Sequence, residues 1–148
     1  MYFVANWKMF GDLRSLNSLD KVIKFSKNNK KNKIKIIYCP PNTLINLMSE
    51  KFLKTSAEVG AQNCHESMSD APLTGSVNPL MLKSVGAKYV IIGHSENRQN
   101  GETDKLINLK IKSALKSGLK VSPIQNITFK PALIAALTFK LINLSVSP

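Results

Sequence analysis

Two short polar clusters close apolar runs in this chain. Asn6 and Lys8 end the run YFVANWK, residues 2–8, and His94, Ser95 and Glu96 end the run in AKYVIIGHSENR, residues 87–98. On a strand, Asn6 and Lys8 share one face with Val4, while Phe3, Ala5 and Trp7 take the other. An amide and an ammonium at the C-terminal end of such a strand point into the mouth of a barrel or a crevice. By the same alternation Val90, Ile92 and His94 share a face, so the imidazole continues a packed surface and stands at its rim. A short helical turn over Ser95 to Arg98 places free N–H groups beside that ring and favours its neutral form. A neutral imidazole can donate a hydrogen bond to a substrate carbonyl, and Glu96 can orient its neighbours or act as an acid. Each group alone also has a plain reading. Asn6 and Lys8 suit a solvated strand end, and His94 suits a structural histidine.

The elements that must position these groups alternate along the chain. Strands are expected at 2–8, at KIKIIYC (33–39), at AEVGAQN (57–63), at 89–93 and from Leu119 onward. Between them, Asp12 can cap a helix with the stripe Leu16, Leu19 and Ile23. A second helix starts at Asn42 or Thr43 and carries Leu44, Leu47, Met48 and Phe52. Pro79 suits the first turn of a short helix ending near Gly86, and a longer helix carries Leu106, Ile107, Ile111, Ala114 and Leu115 before Gly118. The connection from His65 to Pro79 is longer than a strand-to-helix loop needs, which marks a functional or interface loop. This order predicts an α/β fold with parallel strands.

Composition limits the alternatives. The formal charge of +12 admits nucleic acid or an acidic membrane as partner. Yet only Arg14 and Arg98 are arginines, and the lysines are spread thinly outside the knot from Lys27 to Lys33. A solvated surface shaped by coding bias fits better than a binding patch, so no nucleic-acid partner is expected. Cys39 and Cys64 stand alone, without metal-ligand spacing, as reduced thiols of a cytoplasmic protein do. The chain enters its first strand at once, so no targeting segment is expected. The most apolar segment, Ala132 to Leu144, contains Lys140 and is too short for a bilayer, so no membrane is expected.

Taken together, the motifs carry a resemblance. ANWKMF resembles the Asn-x-Lys signature of the triosephosphate isomerase family. GAQNCHESMSDAPLTGSVNPLMLKSVGAKYVIIGHSENR resembles that family's third loop through its histidine strand, and GETDKLINLKIKSALKSGL continues the match. The blocks stand in the right order over roughly residues 2–121. The resemblance implies an incomplete (β/α)8 TIM barrel of about four to five βα units. It also implies interconversion of dihydroxyacetone phosphate and glyceraldehyde 3-phosphate through an enediolate, in glycolysis and gluconeogenesis, without metal or organic cofactor. In this family a carboxylate base moves the proton while a neutral histidine polarises the carbonyl. By matching motifs, Lys8 stabilises the enediolate, Asn6 holds the substrate oxygen and the Lys8 side chain, and His94 polarises and shuttles protons. Ser95 and Glu96 support that site. Thr74 and Gly75 match the loop that reaches the partner subunit, so a homodimer is implied.

The departures matter equally. Asn97 stands where the family usually has arginine, Ser76 where it often has glutamate, and the segment before Gly101 is about one residue short. Losing the first arginine and that acid removes a candidate intersubunit ion pair. No Glu-Pro-Val-Trp-like motif follows residue 121, so the family's base, lid and later phosphate loops have no counterpart in these residues. No acid follows Asp104 and no glycine follows Gly118. Residues 122–148 are therefore expected to form a divergent tail, explained by a frameshift near Val121 or by a divergent strand and helix. The flanking DNA separates the two, because a frameshift leaves a second reading frame that encodes the lost base and lid. Half a barrel opens an inner face of Val4, Ile36 or Ile37, Val90 and Ile92; either the tail Ala132 to Leu144 covers part of it as a helix or strand, or poor solubility or a need for a complementary C-terminal fragment is expected. The competing readings are an isomerase by descent, an inactive fragment, and a basic binding module at the lysine knot.

Overall fold

The computed structural model describes residues 2–28, 35–123 and 141–145. Six strands form one parallel sheet: β1 (Tyr2–Asn6), β2 (Lys35–Cys39), β3 (Ala57–Ala61), β4 (Tyr89–Ile92), β5 (Lys120–Pro123) and β6 (Leu141–Ser145). Their spatial order is β5-β4-β3-β2-β1-β6, so each of the first five lies beside its sequence neighbour. Helices separate the first five: α1 (Asp20–Asn28), α2 (Ile45–Lys51), α3 (Pro79–Ser84), α4 (Ser95–Gln99) and α5 (Asp104–Ser117).

Local chemistry sets most boundaries. The Asp12 carboxylate accepts from the Ser15 N–H at 3.0 Å, and Leu16 and Leu19 are buried in a 3₁₀ segment, Arg14–Leu19, that precedes α1. The expected helix is thus split in two. A second 3₁₀ turn, Asn42–Leu44, leads into α2, whose buried stripe is Ile45 and Met48; the expected Leu47 is exposed. Asn78 caps α3 by accepting from Met81 N–H, with Pro79 in the first turn, and Gly118 closes α5 at φ 86°. The lysines from Lys30 to Lys33 and tail residues 124–140 and 146–148 lie beyond the described residues.

Two apolar layers flank the sheet. Val4, Ile37, Cys39, Tyr89 and Ile91 form the inner one, with Tyr2 packed against them. Val59, Ala61, Val90, Ile92 and Val121 pack outward against the helices, meeting Leu82, Ile107 and Ile111. The inner face therefore carries Val4 and Ile37 as expected, but Tyr89 and Ile91 in place of Val90 and Ile92. In a strand buried on both sides, apolar runs do not say which parity faces the helices. The inner side chains are also covered. Val4 is 4%, Ile37 1% and Ile91 2% exposed, so the folded chain does not present the open apolar face anticipated from half a barrel.

At the N-terminal end of the strands, the inner face turns polar. Glu58 accepts from the Tyr89 hydroxyl at 2.9 Å, from Lys88 at 3.1 Å and from Lys35 at 3.4 Å. Burial pushes the Glu58 carboxyl up, but the Tyr89 and Lys88 bonds outweigh it and leave it below its ordinary value. A depressed folded-state pKa contributes stability that is complete above the unfolded value and lost as pH falls through the folded one. Below the ordinary carboxyl range, the melting temperature of the chain should therefore fall more steeply than that of Glu58→Gln. Parallel declines in thermal melts across that range would remove Glu58 as a source of acid sensitivity.

Candidate active site

The C-terminal ends of β1, β3 and β4 open on one cleft of about 480 Å³, lined by Asn6, Lys8, Met9, Phe10, Gln62, Asn63, His94, Glu96 and Asn97. Asn6 is the last residue of β1 and shares the inner parity of Val4. Lys8 does not continue the strand. Its φ is 52°, and residues 8 and 9 form a turn, so strand alternation is not what brings it to the cleft. The turn is held by its own polar groups. The Lys8 N–H donates to Asn6 Oδ1 at 2.9 Å, and Gln62 Nε2 donates to the Lys8 carbonyl at 2.7 Å and to that of Cys39 at 2.9 Å. A non-glycine residue in the left-handed region costs free energy, and these bonds offset that cost.

His94 reaches the cleft by a different device. Val90 and Ile92 face the helices, so unbroken alternation would send His94 outward as well. Gly93, at φ 77°, breaks the alternation and turns His94 into the cleft. Gly93→Ala forces a side chain into that conformation, at a cost of roughly 1–2 kcal/mol. Denaturant unfolding of the variant should show a loss of that size; an unchanged midpoint would mean that Gly93 is not the hinge.

The electrostatics tie the cluster together. The Lys8 ammonium donates to Glu96 Oε1 at 2.8 Å, and Glu96 Oε2 lies 3.4 Å from His94 Nδ1. The Lys8 bond holds the Glu96 carboxyl below its ordinary range. His94 caps α4, accepting the Glu96 N–H at Nδ1 over 3.3 Å. That bond needs the Nδ1 lone pair, so in the neutral ring the proton sits on Nε2, free to donate. The arrangement can hold an anionic oxygen beside an ammonium while an N–H polarises a neighbouring carbonyl.

The other anticipated residues stand apart. Ser95 is exposed at the start of α4, and Thr74 is exposed in the long loop. Gly75, with φ 80°, lines a second hollow of about 300 Å³ that also includes Asn63, Cys64, Ser76 and Lys110. Glu102 is buried and bound to Lys110 of α5, which also donates to Asn63 Oδ1 at 3.1 Å, so Glu102 serves α5 rather than the cleft. Arg98 pairs within the chain, with Asp104 at 2.7 Å. Sequence reasoning missed Gln62 and Asn63, although Gln62 has a signal, since it follows β3 as Asn6 closes β1. Burial pushes the free Cys39 and Cys64 thiols up to about 12. Among the described residues no group of three or more His, Cys, Asp or Glu could hold a metal, and no helix is long and apolar enough to cross a membrane.

A parallel sheet with helices outside, a packed inner layer, and an amide, an ammonium and an imidazole at its strand C-termini defines a (β/α)-barrel protein with its site at the usual face. Comparison with known proteins narrows this. The family model for triosephosphate isomerase matches residues 1–124. The triosephosphate isomerase of Trichlorobacter lovleyi is 40% identical over 119 residues, 79% of this chain and 46% of the relative. That of Alkaliphilus oremlandii is 38% identical over 117 residues, 78% of this chain and 46% of the relative. The crystal structure of the Bartonella henselae triosephosphate isomerase superposes with a TM-score of 0.74 at 32% identity, covering 82% of this chain and 49% of that one. The chain belongs to the triosephosphate isomerase family. It spans about half the length of the curated relatives it matches, and its sheet is an incomplete (β/α)8 barrel.

Proposed function

We propose that residues 1–121 carry the polarising half of a triosephosphate isomerase site and that residues 122–148 are a divergent tail. His94 donates through Nε2 to the substrate carbonyl and shuttles protons between its oxygens. Lys8 offsets the charge of the enediolate, and Asn6 fixes both the substrate oxygen and the Lys8 turn. Glu96 holds Lys8 and meets His94, and Ser95 opens the helix that carries Glu96. The substrate is a phosphorylated triose, with no metal or organic cofactor, in the cytoplasm and in the sugar-phosphate interconversion of glycolysis and gluconeogenesis. Thr74 and Gly75 lie on the exposed loop suited to a homodimer contact. The single observation that carries this reading is the convergence of Asn6, Lys8, His94 and Glu96 on one cleft.

That cleft supplies an electrophile and a cation but no free carboxylate base. Glu96 is engaged by Lys8, Glu102 by Lys110, and no acid follows Asp104. The chain alone is accordingly inactive, and turnover requires a C-terminal half-barrel that brings a base. The test is an isomerase assay of the purified chain, alone and mixed with the half of the Bartonella henselae enzyme that the match leaves uncovered. Turnover only in the mixture supports the reading. Turnover by the chain alone overturns the assignment of the base, and a mixture that assembles without turnover overturns the site.

A further inference from the structure

We infer that β6 is a displaceable placeholder on the β1 edge, an intramolecular competitor of the strand that would close the barrel. This rests on the half-barrel reading above. The five pairs run from Tyr2↔Leu141 to Asn6↔Ser145, parallel and in unbroken register along the whole of β1. On its other side, β1 is paired with β2 from Tyr2↔Lys35 to Asn6↔Cys39. Both edges of β1 are therefore in use, up to the residue that supplies the cleft amide. Closing a barrel requires the first strand to pair with the last. In this chain that edge is taken, and a strand from a C-terminal half can reach it only after β6 leaves. The opposite end of the sheet differs. Among the described residues β5 pairs with β4 alone, so that edge can receive a strand without displacement.

A tethered strand competes at an effective concentration on the order of millimolar, which an external fragment must overcome. Pairing of β6 also covers an edge that would otherwise template association between copies. The placeholder therefore blocks edge-to-edge pairing of β1 between copies and withholds the closed site until a partner strand displaces it.

Hydrogen exchange on the unmodified chain tests this first. Peptides covering 2–6 and 141–145 should both be protected in the chain alone. On saturation with the uncovered half of the Bartonella henselae enzyme, 141–145 should lose protection while 2–6 retains it. Binding that leaves 141–145 protected overturns the inference. The paired substitutions Ile142→Pro and Asn143→Pro remove one β6 N–H from the ladder whichever parity faces β1. This variant should expose 2–6 to exchange and bind the fragment at least tenfold more tightly than the unmodified chain. Equal affinity overturns the placeholder while leaving the complementation reading intact. If neither chain takes up the fragment, the complementation reading fails, and protection of 141–145 in the chain alone still decides whether β6 holds the edge.

Discussion

Replacing Lys8 by methionine in the chain assembled with a C-terminal half should lower kcat/KM on the order of 10²–10³-fold, the usual loss when one preorganised group facing a developing oxyanion is removed. Folding stability should hardly change. The Lys8–Glu96 pair is 43% and 54% exposed, and exposed pairs contribute only about 0–1 kcal/mol. The split is the informative part. A structural lysine would move the unfolding midpoint and spare the rate, whereas this lysine should spare the midpoint and lose the rate. Steady-state kinetics beside denaturant unfolding of the same preparation reads both. A rate within tenfold of the unmodified assembly would remove Lys8 from the site.

His94→Gln should cost on the order of 10²–10⁴-fold in kcat, the range for a positioned group that transfers protons. Glutamine still offers an oxygen to the Glu96 N–H, so the start of α4 need not unravel. It has no second ring nitrogen and cannot pass a proton through the ring from one substrate oxygen to the next. KM should move less than kcat, because the lost interaction strengthens toward the transition state. A variant with normal kcat and raised KM would make His94 a binding group only.

The strand-helix alternation and the strand neighbours were legible from the sequence, because each apolar run ends in turn or capping chemistry that the structure uses: Asp12, Asn78 with Pro79, and Gly118. The facing of β4 was not. Tyr89 to Ile92 are apolar on both parities, and only tertiary packing decides which pair meets the helices. The cleft residues were found partly for the wrong reason. Lys8 was placed by strand alternation, but the strand ends at Asn6 and a left-handed turn carries the ammonium inward. His94 was likewise assigned by parity, and Gly93 reverses that parity. Gln62 escaped notice because its role is to bond the backbone of two other loops, a function no local pattern announces.

The most direct test of the account is nuclear magnetic resonance on the isotopically labelled chain, measured at neutral pH without any partner. The account predicts Overhauser contacts between the Lys8 ε-methylene and the Glu96 γ-methylene, and imidazole nitrogen shifts for His94 that report a proton on Nε2 with Nδ1 accepting a hydrogen bond. A Lys8 side chain with no contact to Glu96, together with His94 nitrogen shifts that place the proton on Nδ1, would contradict it.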